Sequence, residues 1–257
     1  MSNVKDVSKR QMRREQIRRK EQRGRMIGIA LITIGALFVA FLIIWPNVKP
    51  VTGVTVVDPN PRPQADMNSM GDPNAPIKIV EFSDYQCPFC ENFSKDTEPA
   101  LVESYISTGK VHFTYRSTGN WVSQNINSGL TESEDAAEAA YCAGDQGKYW
   151  EMHDMIFANV LGEDVGSFTD RRLSLIAEKT GLDLNQYEEC YSSNKYRDAV
   201  IKDGQDALAA GVSGTPSFLM TYIDASGKEV SELIEGAQPF SVFQEKIEAA
   251  LAAAAPQ

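Results

Sequence analysis

Cys87 and Cys90 stand three residues apart in the stretch Glu81-Phe82-Ser83-Asp84-Tyr85-Gln86-Cys87-Pro88-Phe89-Cys90. Two thiols at this spacing can close on each other, so the second can resolve a mixed disulfide made by the first. The reactive species is the thiolate, and a C-x-x-C cysteine at a helix N-terminus can fall from a pKa of about 8.5 to roughly 3.5–7.5. The same spacing also fits half of a zinc site. A strand before the pair, a proline inside it and a helix after it favour a dithiol/disulfide exchange centre.

Those elements follow from the flanking residues. Ile77 to Phe82 is an apolar run with the length of a buried strand, and it breaks at Ser83-Asp84. Pro88 suits a first helical turn, where its missing N–H has no partner to lose and its φ is already helical. Phe93, Leu101, Val102 and Tyr105 then recur among charges up to Ile106, with a kink expected at Pro99. Cys87 thus falls at the helix N-terminus, where unpaired N–H groups and the helix dipole favour an anion. Cys90 falls one turn inside. Asp84 is expected to cap the turn. Glu81 interrupts the apolar strand, either as a partly buried carboxylate below the cysteines that shuttles the Cys90 proton, or as a solvated edge residue, or as a partner of Lys78.

The rest of the domain reads as α/β. Thr108-Gly109 ends the helix, and Val111 to Arg116 alternates like a strand, which completes a βαβ unit. Ser117 to Leu130 reads as a polar loop. Residues 131–210 are helical and too long for a loop, so they form an inserted subdomain. Within it Thr131-Glu132-Ser133-Glu134 looks like a capping signal. Gly211 to Pro216 returns the chain to a hairpin of Ser217–Ile223 and Glu229–Ile234 across the turn Asp224–Gly227. Phe240, Phe243, Ile247 and Leu251 recur at helical spacing behind Pro239, and Ala249 to Gln257 is expected to fray.

The N-terminus is of another kind. Residues 1–25 hold 10 Lys/Arg and 3 Asp/Glu, a net of +7; the whole chain carries −10, so the remainder carries −17. Met26 to Trp45 contains no charged residue and has the roughly 20 apolar residues that span a bilayer. No obvious small-x-small cleavage site follows, so an uncleaved anchor is expected, with a cleaved signal as the competing reading and Trp45 at the far interface. Basic residues before an anchor stay in the cytoplasm, leaving the domain outside. They act as a topology signal and lipid-headgroup contact rather than a nucleic-acid site. Residues 46–76, punctuated by seven prolines, read as an extended tether whose end packs on the domain. The acidic exterior portion argues against nucleic acid as a partner. His153 sits in an apolar helix and reads as a core histidine. No four-ligand metal site assembles, and no glycine-rich phosphate loop is present, so neither metal nor dissociable cofactor is expected.

The order of elements around Cys87-Pro88-Phe89-Cys90 resembles the thioredoxin fold, a central mixed β-sheet flanked by helices. With the helical insertion and the anchor, the chain is similar to the DsbA-like thiol:disulfide oxidoreductases, in particular the membrane-tethered bacterial branch related to BdbD. The resemblance runs from about Ile77 to Leu251. It rests on the cysteine stretch, on Gln146-Gly147-Lys148-Tyr149-Trp150-Glu151-Met152-His153-Asp154 and on Gly211-Val212-Ser213-Gly214-Thr215-Pro216-Ser217-Phe218. It implies Cys87 as the attacking and Cys90 as the resolving cysteine, their disulfide serving as the redox group. It implies a cis-proline at Pro216 that exposes the Thr215 backbone to a client chain, and an acidic residue at the place of Glu81. Phe89 replaces the histidine of the best-known oxidising relatives and cannot hydrogen-bond the Cys87 thiolate, which leaves isomerase or reductase activity open. Several family members carry a second, structural disulfide between insertion helices. Together with an even number of cysteines outside the membrane, this pairs Cys142 with Cys190, against two buried thiols or a second redox relay. The implied function is oxidation of secreted proteins with cysteines, with reoxidation by a membrane partner. A non-catalytic tethered chaperone is the reading from another class.

Overall fold

The computed structural model describes residues 2–48 and 53–254, in two units that divide between residues 50 and 51. The first unit is one helix, α1 (Ser2–Val48). Its portion Gln11–Trp45 contains a stretch long and apolar enough to cross a membrane, with none of that stretch buried. Leu31, Ile32, Leu37 and Phe38 all face outward, which a core helix would not tolerate.

The second unit is built on a single mixed sheet. Strands β1 (Ser69–Met70), β2 (Ile77–Ser83), β3 (Val111–Ser117), β4 (Ser217–Ile223) and β5 (Glu229–Glu235) lie in the order β1-β3-β2-β4-β5. β2 and β3 are parallel and every other pair is antiparallel. α2 (Pro88–Asp96), α3 (Glu98–Leu101) and a π-helical turn at Val102–Ile106 make the crossover from β2 to β3. The expected kink falls there: Thr97 closes α2, and Pro99, which cannot donate into a helix interior, sits in the first turn of α3. The two faces of β2 follow the strand period. Ile77, Ile79, Glu81 and Ser83 face the main core, whereas Phe82 joins Ala207 and Val212 in a smaller cluster on the other side.

The insertion comprises α4 (Trp121–Asn125), α5 (Glu132–Gly144), α6 (Tyr149–Phe157), α7 (Asp170–Thr180), α8 (Leu184–Ser192) and α9 (Arg197–Ala209). It therefore begins earlier than expected, since the supposed loop 117–130 contains α4, a helix too short to show a periodicity. α9 approaches β3 closely: a Cβ on Gly204 would stand 2.8 Å from the Thr118 carbonyl oxygen. Cys142 on α5 and Cys190 on α8 form a disulfide with Cα atoms 5.8 Å apart. Closing a loop of this length contributes about 2–4 kcal/mol, chiefly by restricting the unfolded chain. The capping signal is not used as such. Thr131 Oγ1 donates to Asp135 Oδ2 at 2.8 Å, and Glu132 accepts from the N–H groups of Gly166 and Phe168, both at 2.8 Å, tying down the loop ahead of α7.

α10 (Phe240–Ala254) closes the fold, with Phe243 against Phe218 (ring centroids 4.8 Å) and Phe93 (5.6 Å). It stays regular through the alanines expected to fray, where Ala250 is buried and the Ala253 carbonyl accepts from Ala225 N–H at 2.9 Å. Residues 255–257 of that stretch lie outside the described residues.

The tether expected over residues 46–76 differs most from the structure. α1 continues to Val48, and residues 49–52 lie outside the described residues. From Val54 onward the chain is strapped to the domain. Val54, Val57 and Met67 pack on the core, Thr55 exchanges hydrogen bonds with Asn159 (2.7 and 2.9 Å), and Asn60 N–H reaches Asp154 at 2.9 Å. Polar and charged side chains share the fastening with a few scattered apolar ones, so the stretch lacks the apolar periodicity that marks an element.

Candidate active site

β2 delivers the cysteines. Its end feeds the turn 84–86, and Cys87 becomes the N-cap of α2 with extended backbone (φ −74°, ψ 120°) and Pro88 in the first turn. The antiparallel register Phe82↔Ser217 places the segment before β4 beside that turn. There the Thr215–Pro216 peptide is cis, and the Cys87 thiol donates to the Thr215 carbonyl at 3.5 Å. Cys87 is 7% exposed and Cys90 0%, and both are free thiols.

The two thiols are electrostatically unequal. The Cys87 pKa is lowered from 9.0 to about 6. Hydrogen bonding from the Cys90 thiol is the main cause; burial opposes it, and the Thr215 side chain and the N–H groups of Cys90 and Phe89 add to it. Burial pushes Cys90 well up instead, reinforced by the hydrogen bond it donates and by the charges of Cys87 and Glu81. A thiol of pKa near 6 is roughly nine-tenths ionised at neutral pH. Alkylation of the reduced protein should therefore label Cys87 alone, at a rate that holds from pH 8 down to about 6 and falls below it; mass spectrometry of the labelled peptides checks this. The linkage has a definite sign. A thiol whose folded pKa is depressed stabilises the fold above its unfolded value near 9, and that contribution is lost as pH falls through about 6.

Glu81 is buried at 2% exposure on the core face of β2, which removes the solvated-edge reading. Lys78 is not its partner, since Lys78 Nζ is bonded to the Pro73 carbonyl. Burial, then the nearby charge of Glu98, raise the Glu81 pKa well above the usual carboxylate range. Asp84 caps the turn as expected, accepting from Gln86 N–H at 2.9 Å. It also accepts from Ser133 Oγ at 2.7 Å and from Val122 N–H at 3.2 Å, so it joins the cysteine turn to the insertion. Burial raises its pKa to about 6.

Two groups were not visible in the sequence. Gln86, directly before Cys87, donates to Ser123 (3.2 Å), Ser133 (2.9 Å) and Asp164 (2.9 Å) and accepts from Asp164 N–H at 2.5 Å. It thereby holds the cysteine turn against three segments of the insertion. The second group is a buried charge cluster: Arg62 from the strap pairs with Glu98 at 2.6 Å and Asp154 at 2.5 Å, over the Trp150 ring at 4.5 Å. His153 is buried beside it, its Nδ1 3.2 Å from Asp154 Oδ1. Glu98, His153 and Asp154 bring three potential metal donors within 4.8 Å of one another. The cation that both carboxylates actually meet is the Arg62 guanidinium.

A family model described as Thioredoxin matches residues 64–235. The chain belongs to the thioredoxin family. It has the fold of the DsbA-like thiol-disulfide oxidoreductases. A protein of Bacillus cereus described as "probable disulfide bond formation protein D" is 32% identical over 151 residues, 58% of this chain and 67% of the relative. A Na(+)/H(+) antiporter NhaA 1 of Salinispora arenicola is 28% identical over 209 residues, 76% of this chain but 29% of that protein. The chain thus spans less than a third of this antiporter relative. Among solved structures, Wolbachia pipientis alpha-DsbA1 superposes with a TM-score of 0.61 at 22% identity, covering 75% of this chain and 94% of that one, which establishes the shared fold.

Proposed function

We propose that this protein is a membrane-anchored extracytoplasmic thiol-disulfide oxidoreductase that introduces disulfides into exported proteins through Cys87 and Cys90. The supporting observation is the inequality of the two thiols, an easily ionised Cys87 at the helix cap beside a buried, poorly ionised Cys90. Stabilising the Cys87 thiolate stabilises the reduced enzyme, which makes its disulfide a stronger oxidant. In the forward reaction a client thiolate attacks Cys87 Sγ of the Cys87–Cys90 disulfide. The client–Cys87 bond forms, the Cys87–Cys90 bond breaks, and Cys90 leaves with the electron pair. A second client thiolate then attacks the client sulfur and releases Cys87 as its favoured thiolate. The client gains a disulfide and the enzyme two electrons, which a membrane reoxidase removes. Thr215, whose carbonyl faces Cys87, offers a backbone for the client to pair with, and Glu81 supplies the proton that Cys90 needs.

The anchor reading rests on the unburied apolar portion of α1 and on the 10 Lys/Arg before it, which hold the N-terminus in the cytoplasm and the domain outside the cell membrane. Lipid through residues 26–45 and cysteine-bearing exported proteins are the partners; nucleic acid is not. Mixing the oxidised full chain in detergent with a peptide carrying two reduced cysteines tests the activity. One peptide disulfide should form per chain as the Cys87–Cys90 disulfide is reduced to two thiols, of which Cys87 takes an alkylating label. Persistence of the reduced peptide would overturn the proposal.

A further inference from the structure

Next to Asp84, whose N–H lies 3.5 Å from Cys90 Sγ, stands a buried hydroxyl that the exchange chemistry above does not use. Ser83 follows Glu81 by two residues on β2, so both side chains point to the core face. Tyr115 is the register partner of Glu81 on parallel β3 and shares that face. Ser83 and Tyr115 are both 0% exposed. The Ser83 hydroxyl lies within reach of the Cys90 thiol, the Glu81 carboxyl and the Tyr115 hydroxyl, yet it holds a fixed hydrogen bond with none of them. Tyr115 is itself clamped between rings, with Tyr85 at 5.1 Å and His153 at 4.9 Å between centroids. An unpaired buried hydroxyl destabilises the fold, and an alanine at Ser83 would avoid that cost. A hydroxyl that can turn among an acid, a thiol and a phenol is placed to carry a proton.

We propose that the Ser83 hydroxyl passes a proton between Glu81 and Cys90, and that Tyr115 is the positioning residue that orients it. The inference rests on the exchange reading above. When the client thiolate breaks the Cys87–Cys90 bond, the electron pair stays on Cys90 Sγ, buried where a thiolate is costly. Ser83 donates its proton to Cys90 and takes one from the Glu81 carboxyl, whose protonated form burial favours. The proton given up to solvent by the client thiol returns to Glu81, so protons balance over the cycle. The other ionisable groups facing the relay are Cys87 on α2, Glu98 on α3 with its partner Arg62, Tyr85 in the turn, and Tyr149 and His153 on α6.

The test follows cleavage of the Cys87–Cys90 disulfide by a cysteine peptide across pH in the full chain. Ser83→Ala and Tyr115→Phe should each slow cleavage about tenfold near neutral pH, with the deficit shrinking in acid as solvent protons substitute. Glu81→Gln should slow the wild type but add nothing to Ser83→Ala, and Ser83→Thr, which keeps the hydroxyl, should keep the wild-type pH profile. Wild-type rates and pH profiles in both Ser83→Ala and Tyr115→Phe would overturn the relay, as would multiplying effects of Ser83→Ala and Glu81→Gln. A wild type that cleaves no disulfide at all would instead defeat the exchange reading itself.

Discussion

Replacing Cys87 with serine is expected to lower disulfide exchange by on the order of a thousandfold or more, because no other described thiol combines access with ionisation. Cys90 is fully buried with its pKa pushed up, and Cys142 and Cys190 are bonded to each other. Cys90→Ser has a different signature. Cys87 keeps its 7% exposure, and the serine hydroxyl can donate to its thiolate in place of the Cys90 thiol, so the variant should still form mixed disulfides but release them slowly. Stopped-flow measurement of peptide oxidation, with gel analysis of trapped covalent complexes, separates the two variants. Exchange at the wild-type rate in Cys87→Ser would show that the pair is not the reactive group.

The second large effect lies away from the cysteines. Arg62→Ala is expected to destabilise the domain by about 3–5 kcal/mol, since it leaves two buried carboxylates without their cation. Glu98 is 1% exposed and Asp154 7%, and Arg62 bonds both. For a domain of this size the thermal midpoint should fall by about 10 °C. The strap should loosen with it, and limited proteolysis before residue 70 reports that directly. A loss below about 1 kcal/mol would mean that the strap is not part of the folded domain. The effect also reaches the site electrostatically, because Arg62 opposes the rise in the Glu81 pKa that Glu98 reinforces.

These two residues mark what the sequence could and could not disclose. Cys87 was legible because local chemistry places it: a short apolar strand, a turn and a proline leave little choice about where the helix begins. The same holds for β2, β3, the hairpin β4–β5 and α10, whose apolar periods are regular. Arg62 was hidden in a proline-rich stretch whose composition signals an extended linker. Its fastening depends on Glu98 and Asp154, 36 and 92 residues further on. Gln86 and Asp164 were hidden for the same reason, since a polar contact across 78 residues leaves no period to read. Glu81 was visible as an anomaly in an apolar strand, but three readings stayed open until its burial was known. A single arginine in a segment otherwise poor in charge was the one local sign of the buried cluster.

The reduction potential of the Cys87–Cys90 couple tests the central claim most directly. The full chain would be equilibrated in glutathione buffers, its thiols trapped, and the Cys87–Cys90 peptide quantified. The lowered Cys87 pKa favours the oxidising side, and an oxidase of exported proteins predicts a couple above about −150 mV. A value below about −230 mV would contradict the account and make the protein a reductase supplied with electrons from the membrane.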